Sequence, residues 1–138
     1  MKIELKRTGD NFAFEAANPE GNKMVIDTSA ANGGEGKGFS PMQLLLVGVA
    51  GCSGIDIVHI LKKQRQEIIS FEIEVEGLRE KVEEYSIWKE ITLHYKLKGK
   101  IDKEKAERAA SLSHEKYCSV SKIIGHTSKI NFTVTVEN

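Results

Sequence analysis

The stretch SPMQLLLVGVAGCSGIDIVHILKKQR, Ser40–Arg65, decides how the rest of the chain is read. It opens as a helix start: Ser40 can cap, Pro41 suits the first helical position, and Gln43 completes a Ser-x-x-Gln capping box. It closes with Lys62, Lys63 and Arg65, which complement the negative end of a helix dipole. Between these ends Leu44, Leu45, Leu46, Val47, Val49, Ile55, Ile57, Val58, Ile60 and Leu61 leave little polar circumference. A helix apolar nearly all round must be buried nearly all round. One small sheet covers only one side of it, so the second cover is expected from another copy of the chain, a homodimer. Gly48, Gly51 and Gly54 interrupt the helix around a single thiol, Cys52, although a glycine in a helix interior costs about 1 kcal/mol relative to alanine. Their spacing predicts a ridge without side chains, where another helix or backbone can approach closely beside Cys52.

Working outward, the residues before the helix read as three short strands. KIELKR alternates Ile3 and Leu5 with charges, NFAFEA alternates Phe12 and Phe14 with small or polar residues, and Thr8–Asp10 is the turn between them. NKMVIDT follows the turn residues NPEGN as a third strand. Residues 29–40, SAANGGEGKGFS, read as a flexible connector. Their glycines lack the Gly-Lys-Ser/Thr ending of a phosphate-binding loop. After the helix, FEIEVEG sets Phe71, Ile73 and Val75 against glutamates, and EITLHYKLKG sets Ile91, Leu93, Tyr95 and Leu97 against Thr92, His94, Lys96 and Lys98. His94 therefore belongs to a solvated face. Asp102 caps KEKAERAASL, Ser113 caps HEKYCSVSKII up to Gly125, and KINFTVTV closes the chain as a strand. The order is β-β-β-α-β-β-α-α-β, an α+β fold in one domain over residues 1–138.

Composition excludes several classes. Lys plus Arg number 20 and Asp plus Glu number 20, so there is no basic excess for nucleic acid. MKIELKRTGD has no apolar segment of the kind a secretory signal needs. The apolar run of the long helix, broken by Asp56 and His59, reads as too short to span a bilayer, and a cytoplasmic location is expected.

The chain has 2 cysteines, Cys52 and Cys118, with no Cys-x-x-Cys and no paired ligand spacing, so neither a metal nor another cofactor is expected. Cys52 lies about three turns into its helix, beyond the reach of the dipole. Its one-turn neighbours are Gly48, Val49, Ile55 and Asp56, and the Asp56 charge would oppose a thiolate. Any activator must come from another segment or another subunit. Cys118 reads as lying early in a short helix, with His114 and Lys122 on its face as candidate cations.

The layout resembles the OsmC/Ohr family of bacterial thiol-dependent hydroperoxide reductases. The resemblance rests on SPMQLLLVGVAGC opening the long helix, on EKYCSVSKII carrying the second cysteine, and on the element order. It implies an intertwined homodimer, with two long central helices wrapped by sheets from both chains. It implies that Cys52 matches the peroxide-attacking cysteine and Cys118 the resolving one. A thiol reductant, lipoyl groups among them, would reduce the resulting disulfide. The family's active reductases place a glutamate ten residues before the first cysteine, where this chain has Met42, and supply an arginine from an N-terminal loop. Here the N-terminal third has only Arg7, on the first strand, so Lys23, Glu35 and Lys37 are the nearby charges. Slow peroxide turnover follows as an expectation. The alternative reading is a non-catalytic homodimer that holds a small apolar ligand at the subunit interface, near the glycines.

Overall fold

The computed structural model describes the whole chain, residues 1–138. The elements are β1 (Glu4–Arg7), β2 (Phe14–Ala17), β3 (Lys23–Ile26), α1 (Pro41–Lys63), β4 (Glu67–Lys81), β5 (Ser86–Lys100), α2 (Lys103–Leu112), α3 (Ser119–Ile124) and β6 (Lys129–Glu137). This is the expected order, with a π-helical turn at Ser113–Tyr117 between α2 and α3. Contacts divide the chain into two compact units, Met1–Leu45 and Leu46–Asn138.

In the first unit β1, β2 and β3 form an antiparallel meander. Strand alternation predicts one covered face, yet Leu5, Phe14, Met24 and Val25 remain exposed. The glycine-rich segment is not a loose connector. It contains a short 3-10 turn, Ala30–Asn32. The buried Asp27 carboxylate accepts the N–H groups of Thr28 at 2.7 Å, Lys37 at 3.1 Å and Glu35 at 3.2 Å. Those N–H groups, that of Lys37 foremost, hold the Asp27 carboxyl below the usual carboxylate range. The capping box forms as read: Ser40 N–H donates to Gln43 Oε1 at 2.9 Å, and Gln43 N–H donates to Ser40 Oγ at 3.3 Å.

In the second unit β5 is central, antiparallel to β4 and parallel to β6. A parallel neighbour requires a crossover, and α2 and α3 supply it. Ile91, Leu93, Tyr95 and Leu97 alternate along β5 into a core shared with Val49, Ile57 and Leu61 of α1. Asp102 caps α2 as expected, accepting Glu104 N–H at 3.0 Å. Its buried residues are Ala106, Ala109 and Ala110, short side chains that let the helix lie close to the sheet. Gly99, at φ +140°, pairs with Ile68 beside a register shift in β4, where a Cβ would stand 2.0 Å from Glu67 O. His94 is not merely solvated, since its Nδ1 lies 2.7 Å from Thr133 Oγ1 on β6.

Helix α1 spans 23 residues and by length and composition is long and apolar enough to cross a membrane, which corrects the reading that Asp56 and His59 make it too short. Its row of Val49, Ser53, Gly54, Ile57 and Leu61 is buried, as in the packing helix of a folded domain. The three glycines do not make one ridge. Each residue turns about 100°, so Gly48 and Gly54 face about 120° apart. A Cβ at Gly54 would stand 2.7 Å from Ile73 Cδ1 on β4, one at Gly48 would stand 3.6 Å from Val120 on α3, and one at Gly51 would meet nothing within 4 Å. Gly51 instead joins Val47 and Ile55 in an exposed row.

Candidate functional site

The second unit gathers both thiols. Cys52 projects from mid-α1 and Cys118 from the junction before α3. Cys52 Sγ, Cys118 Sγ and an Asp56 carboxylate oxygen lie within 4.8 Å of one another. Both cysteines are free thiols; Cys52 is half-buried and Cys118 is fully buried. The four donors of a structural zinc site are not assembled here. The two sulfurs are neighbours, an arrangement that suits sulfur–sulfur chemistry.

The spacing predicts Cys118 inside a helix, but it stands just before one. It is extended, with φ −75° and ψ 103°, and is itself the N-cap of α3, its Sγ accepting Ser121 N–H at 3.3 Å. The physical reason is the π-helical turn before it, which widens the end of the α2 path and breaks the i, i+4 relation of His114, Cys118 and Lys122. Ser113 is likewise not an N-cap; it closes the C-terminal end of α2. It is buried in right-handed helical conformation and donates from Oγ to Asp56 Oδ2 at 2.8 Å.

A polar chain runs through the apolar core beside the sulfurs. Ser53 Oγ donates to Val49 O at 2.8 Å and to Ala50 O at 3.2 Å. Tyr95 Oη donates to Ser53 Oγ at 2.6 Å, and His114 Nε2 lies 2.7 Å from Tyr95 Oη. His114 Nδ1 lies 2.9 Å from Ser121 Oγ. The imidazole stacks on Phe132, centroids 5.2 Å apart and planes at 17°. No buried side-chain nitrogen or oxygen in this region lacks a partner.

Burial sets the electrostatics. It pushes the Cys118 thiol above its ordinary value of 9.0; the Ser121 hydroxyl opposes this, and the neighbouring Cys52 thiol adds to it. It pushes the His114 imidazole below 6.5, with the Asp56 charge partly opposing. It pushes the Tyr95 phenol well above 10.0.

Sequence reading singled out Cys52, Cys118, Asp56 and His114 but missed Ser53, Tyr95, Ser113 and Ser121. The one signal for Ser53 and Tyr95 was a polar atom at a position that the helix or strand period buries. In the first unit Arg7 is engaged by its own hairpin: Nε donates to Asn11 O at 2.8 Å and Nη2 to Asp10 O. Lys23 pairs with Glu15 at 3.7 Å and Lys37 with Glu35 at 3.4 Å.

A family profile described as OsmC-like protein matches residues 34–133. Protein YhfA of Escherichia coli (strain K12) is 33% identical over 129 residues, 93% of this chain and 91% of that protein. The crystal structure of a hypothetical protein from Aquifex aeolicus VF5 is similar with a TM-score of 0.81 and 35% identity, covering 99% of this chain and 97% of that one. The organic hydroperoxide resistance protein OhrB of Bacillus subtilis is similar with a TM-score of 0.66 and 26% identity, covering 97% of this chain and 96% of that one.

Proposed function

Because this chain belongs to the OsmC-like family, we propose that it is a thiol-dependent redox protein in which Cys52 attacks a hydroperoxide and Cys118 resolves the product. The observation that carries this reading is the pairing of a half-buried thiol with a fully buried one, their sulfurs within 4.8 Å. A peroxide from solvent meets Cys52 first, while Cys118 is shielded from over-oxidation and already positioned for the second step.

In the first step the Cys52 thiolate displaces alkoxide from the O–O bond, giving a sulfenic acid; the alkoxide takes a proton and leaves as alcohol. In the second, Cys118 sulfur attacks the sulfenic sulfur. The S–O bond breaks, water leaves with one proton taken up, and a disulfide forms. A dithiol reductant then restores both thiols by exchange. Asp56 is a carboxylate beside the sulfurs, where the family's active reductases direct an arginine, so turnover should be slow by their standard.

The same reading includes a homodimer. The exposed Val47–Gly51–Ile55 row and the exposed apolar residues of the first sheet are surfaces that a second copy would cover.

The test treats reduced protein with one equivalent of cumene hydroperoxide and maps peptides without reductant. A Cys52–Cys118 disulfide is expected, replaced in Cys118→Ser by a sulfenic acid that dimedone traps at Cys52. Both thiols remaining free, or intermolecular links alone, would overturn the mechanism.

A further inference from the structure

The hydrogen-bond chain beside Cys118 has a direction that can be read from its donors. Ser53 Oγ lies 2.8 Å from Val49 O, a carbonyl that cannot donate, so the Ser53 proton sits between them. Ser53 therefore accepts from Tyr95, whose one proton points along the 2.6 Å contact. Tyr95 has no proton left for His114, so across the 2.7 Å contact His114 Nε2 must be the donor. A neutral imidazole with hydrogen on Nε2 has a bare Nδ1. Across 2.9 Å that nitrogen accepts the Ser121 hydroxyl proton. The Ser121 oxygen keeps lone pairs for a further donor, and Ser121 lies against Cys118, its N–H donating to Cys118 Sγ at 3.3 Å.

We propose that Ser121 and His114 form a proton relay that takes the proton of Cys118, with His114 held in its Nε2–H form by Tyr95 and Ser53. The use of the relay rests on Cys118 being the resolving thiol. As Cys118 sulfur attacks the sulfenic sulfur of Cys52, its proton passes to Ser121 Oγ while the Ser121 proton passes to His114 Nδ1. The imidazolium then releases that proton to solvent, and the departing hydroxide takes one up as water, so one proton leaves and one enters. Ser121 touches the reacting sulfur; His114 acts through it as a positioning residue.

The exit for the proton is visible. His114 and Ser121 also line a surface cleft of about 570 Å³ beside α3 and β6. A thiol sealed in the core thus has a polar connection to solvent that does not pass through Cys52. The titratable groups near His114 inside the core are Asp56, Tyr95 and the two cysteines. Across the cleft they are Glu115, Lys122, His126 and Lys129. Burial opposes an imidazolium and the Asp56 charge favours it, which suits a transient proton carrier.

The experiment uses Cys52→Ser protein, in which no peroxide chemistry occurs. Long-range proton–nitrogen NMR, with His114→Gln assigning the signal, should give His114 neutral with hydrogen on Nε2. Cys118, followed through its labelled Cβ, should titrate higher in Ser121→Ala, with about tenfold less thiolate near neutral pH, and Ser121→Thr should restore it. An Nδ1–H tautomer, or a Cys118 titration indifferent to Ser121→Ala, would overturn the relay while leaving the disulfide mechanism standing. In protein with both cysteines, Ser121→Ala should slow Cys52–Cys118 disulfide formation about tenfold after sulfenic acid has formed. An unchanged rate across neutral pH would overturn the relay. Absence of any disulfide in unmutated protein, with the tautomer as derived, would instead overturn the proposed function.

Discussion

Replacing Tyr95 by phenylalanine tests the buried polar chain most directly. Tyr95 is fully inaccessible, and its hydroxyl makes contacts of 2.6 Å to Ser53 and 2.7 Å to His114. Phenylalanine keeps the ring packing against Phe71 and Phe132, so the change removes hydrogen bonds and little else. Two bonds are lost, each worth about 1 kcal/mol net, and the His114 Nε2–H is stranded in the core, where an unpaired donor costs about 1–3 kcal/mol. Relief from burying the hydroxyl offsets part of this, which leaves a loss of about 2–3 kcal/mol. For a chain of this size that lowers Tm by about 5–10 °C. Urea and thermal unfolding of the reduced protein, followed by circular dichroism, measure it. A double-mutant cycle with Ser53→Ala should show coupling of about 1 kcal/mol, because the two residues share one hydrogen bond. Stability of Tyr95→Phe within about 0.5 kcal/mol of the unmutated protein would refute the chain as a structural element, and with it the donor assignment built on Tyr95.

Other outcomes follow from single features. Reduced protein should be most stable between pH 6.5 and 9.0, the ordinary values of the two groups that burial keeps neutral. Below that window the unfolded chain protonates His114 while the folded imidazole resists, and above it the unfolded chain ionises Cys118 while the buried thiol holds its proton, so stability falls on both sides. Urea midpoints across the range check this, and an acid limb undiminished in His114→Gln would assign the loss to other groups. Gly77→Ala would put a Cβ 2.6 Å from Trp88 Cε3, so it should cost about 1–2 kcal/mol. It should also shift the emission of the chain's 1 tryptophan; an unmoved spectrum would count against the contact. Gly51→Leu, whose added Cβ meets nothing within 4 Å in its own protomer, should leave the fold intact and weaken self-association in sedimentation. A stable monomer of the unmutated protein at micromolar concentration would remove the dimer.

What the sequence determined by itself was periodic or local. The order of elements followed from the change between alternation and helical spacing. The start of α1 followed from Ser40, Pro41 and Gln43, and the start of α2 from Asp102, because a cap is closed by residues three or fewer positions away. The alternation of Ile91, Leu93, Tyr95 and Leu97 marked the buried face of β5, since strand geometry alone puts every second side chain on one side. The thiols could be named, but their environment could not. The π-helical turn at Ser113–Tyr117 adds a residue to a helical turn and moved Cys118 from a helix face to a cap, a change that no i, i+4 count registers. The glycine ridge dissolved for a similar reason: equal spacing in sequence became three directions in space once α1 had neighbours on two sides. The meeting of Cys52 with Cys118, of Ser53 with Tyr95 and of Asp56 with Ser113 joins residues 42 to 66 positions apart. Those pairs exist only because β5 and the crossover fold back on α1. Tertiary packing made them, and packing also fixed which polar atom donates, because in a closed core each proton has only the partners that the fold leaves within reach.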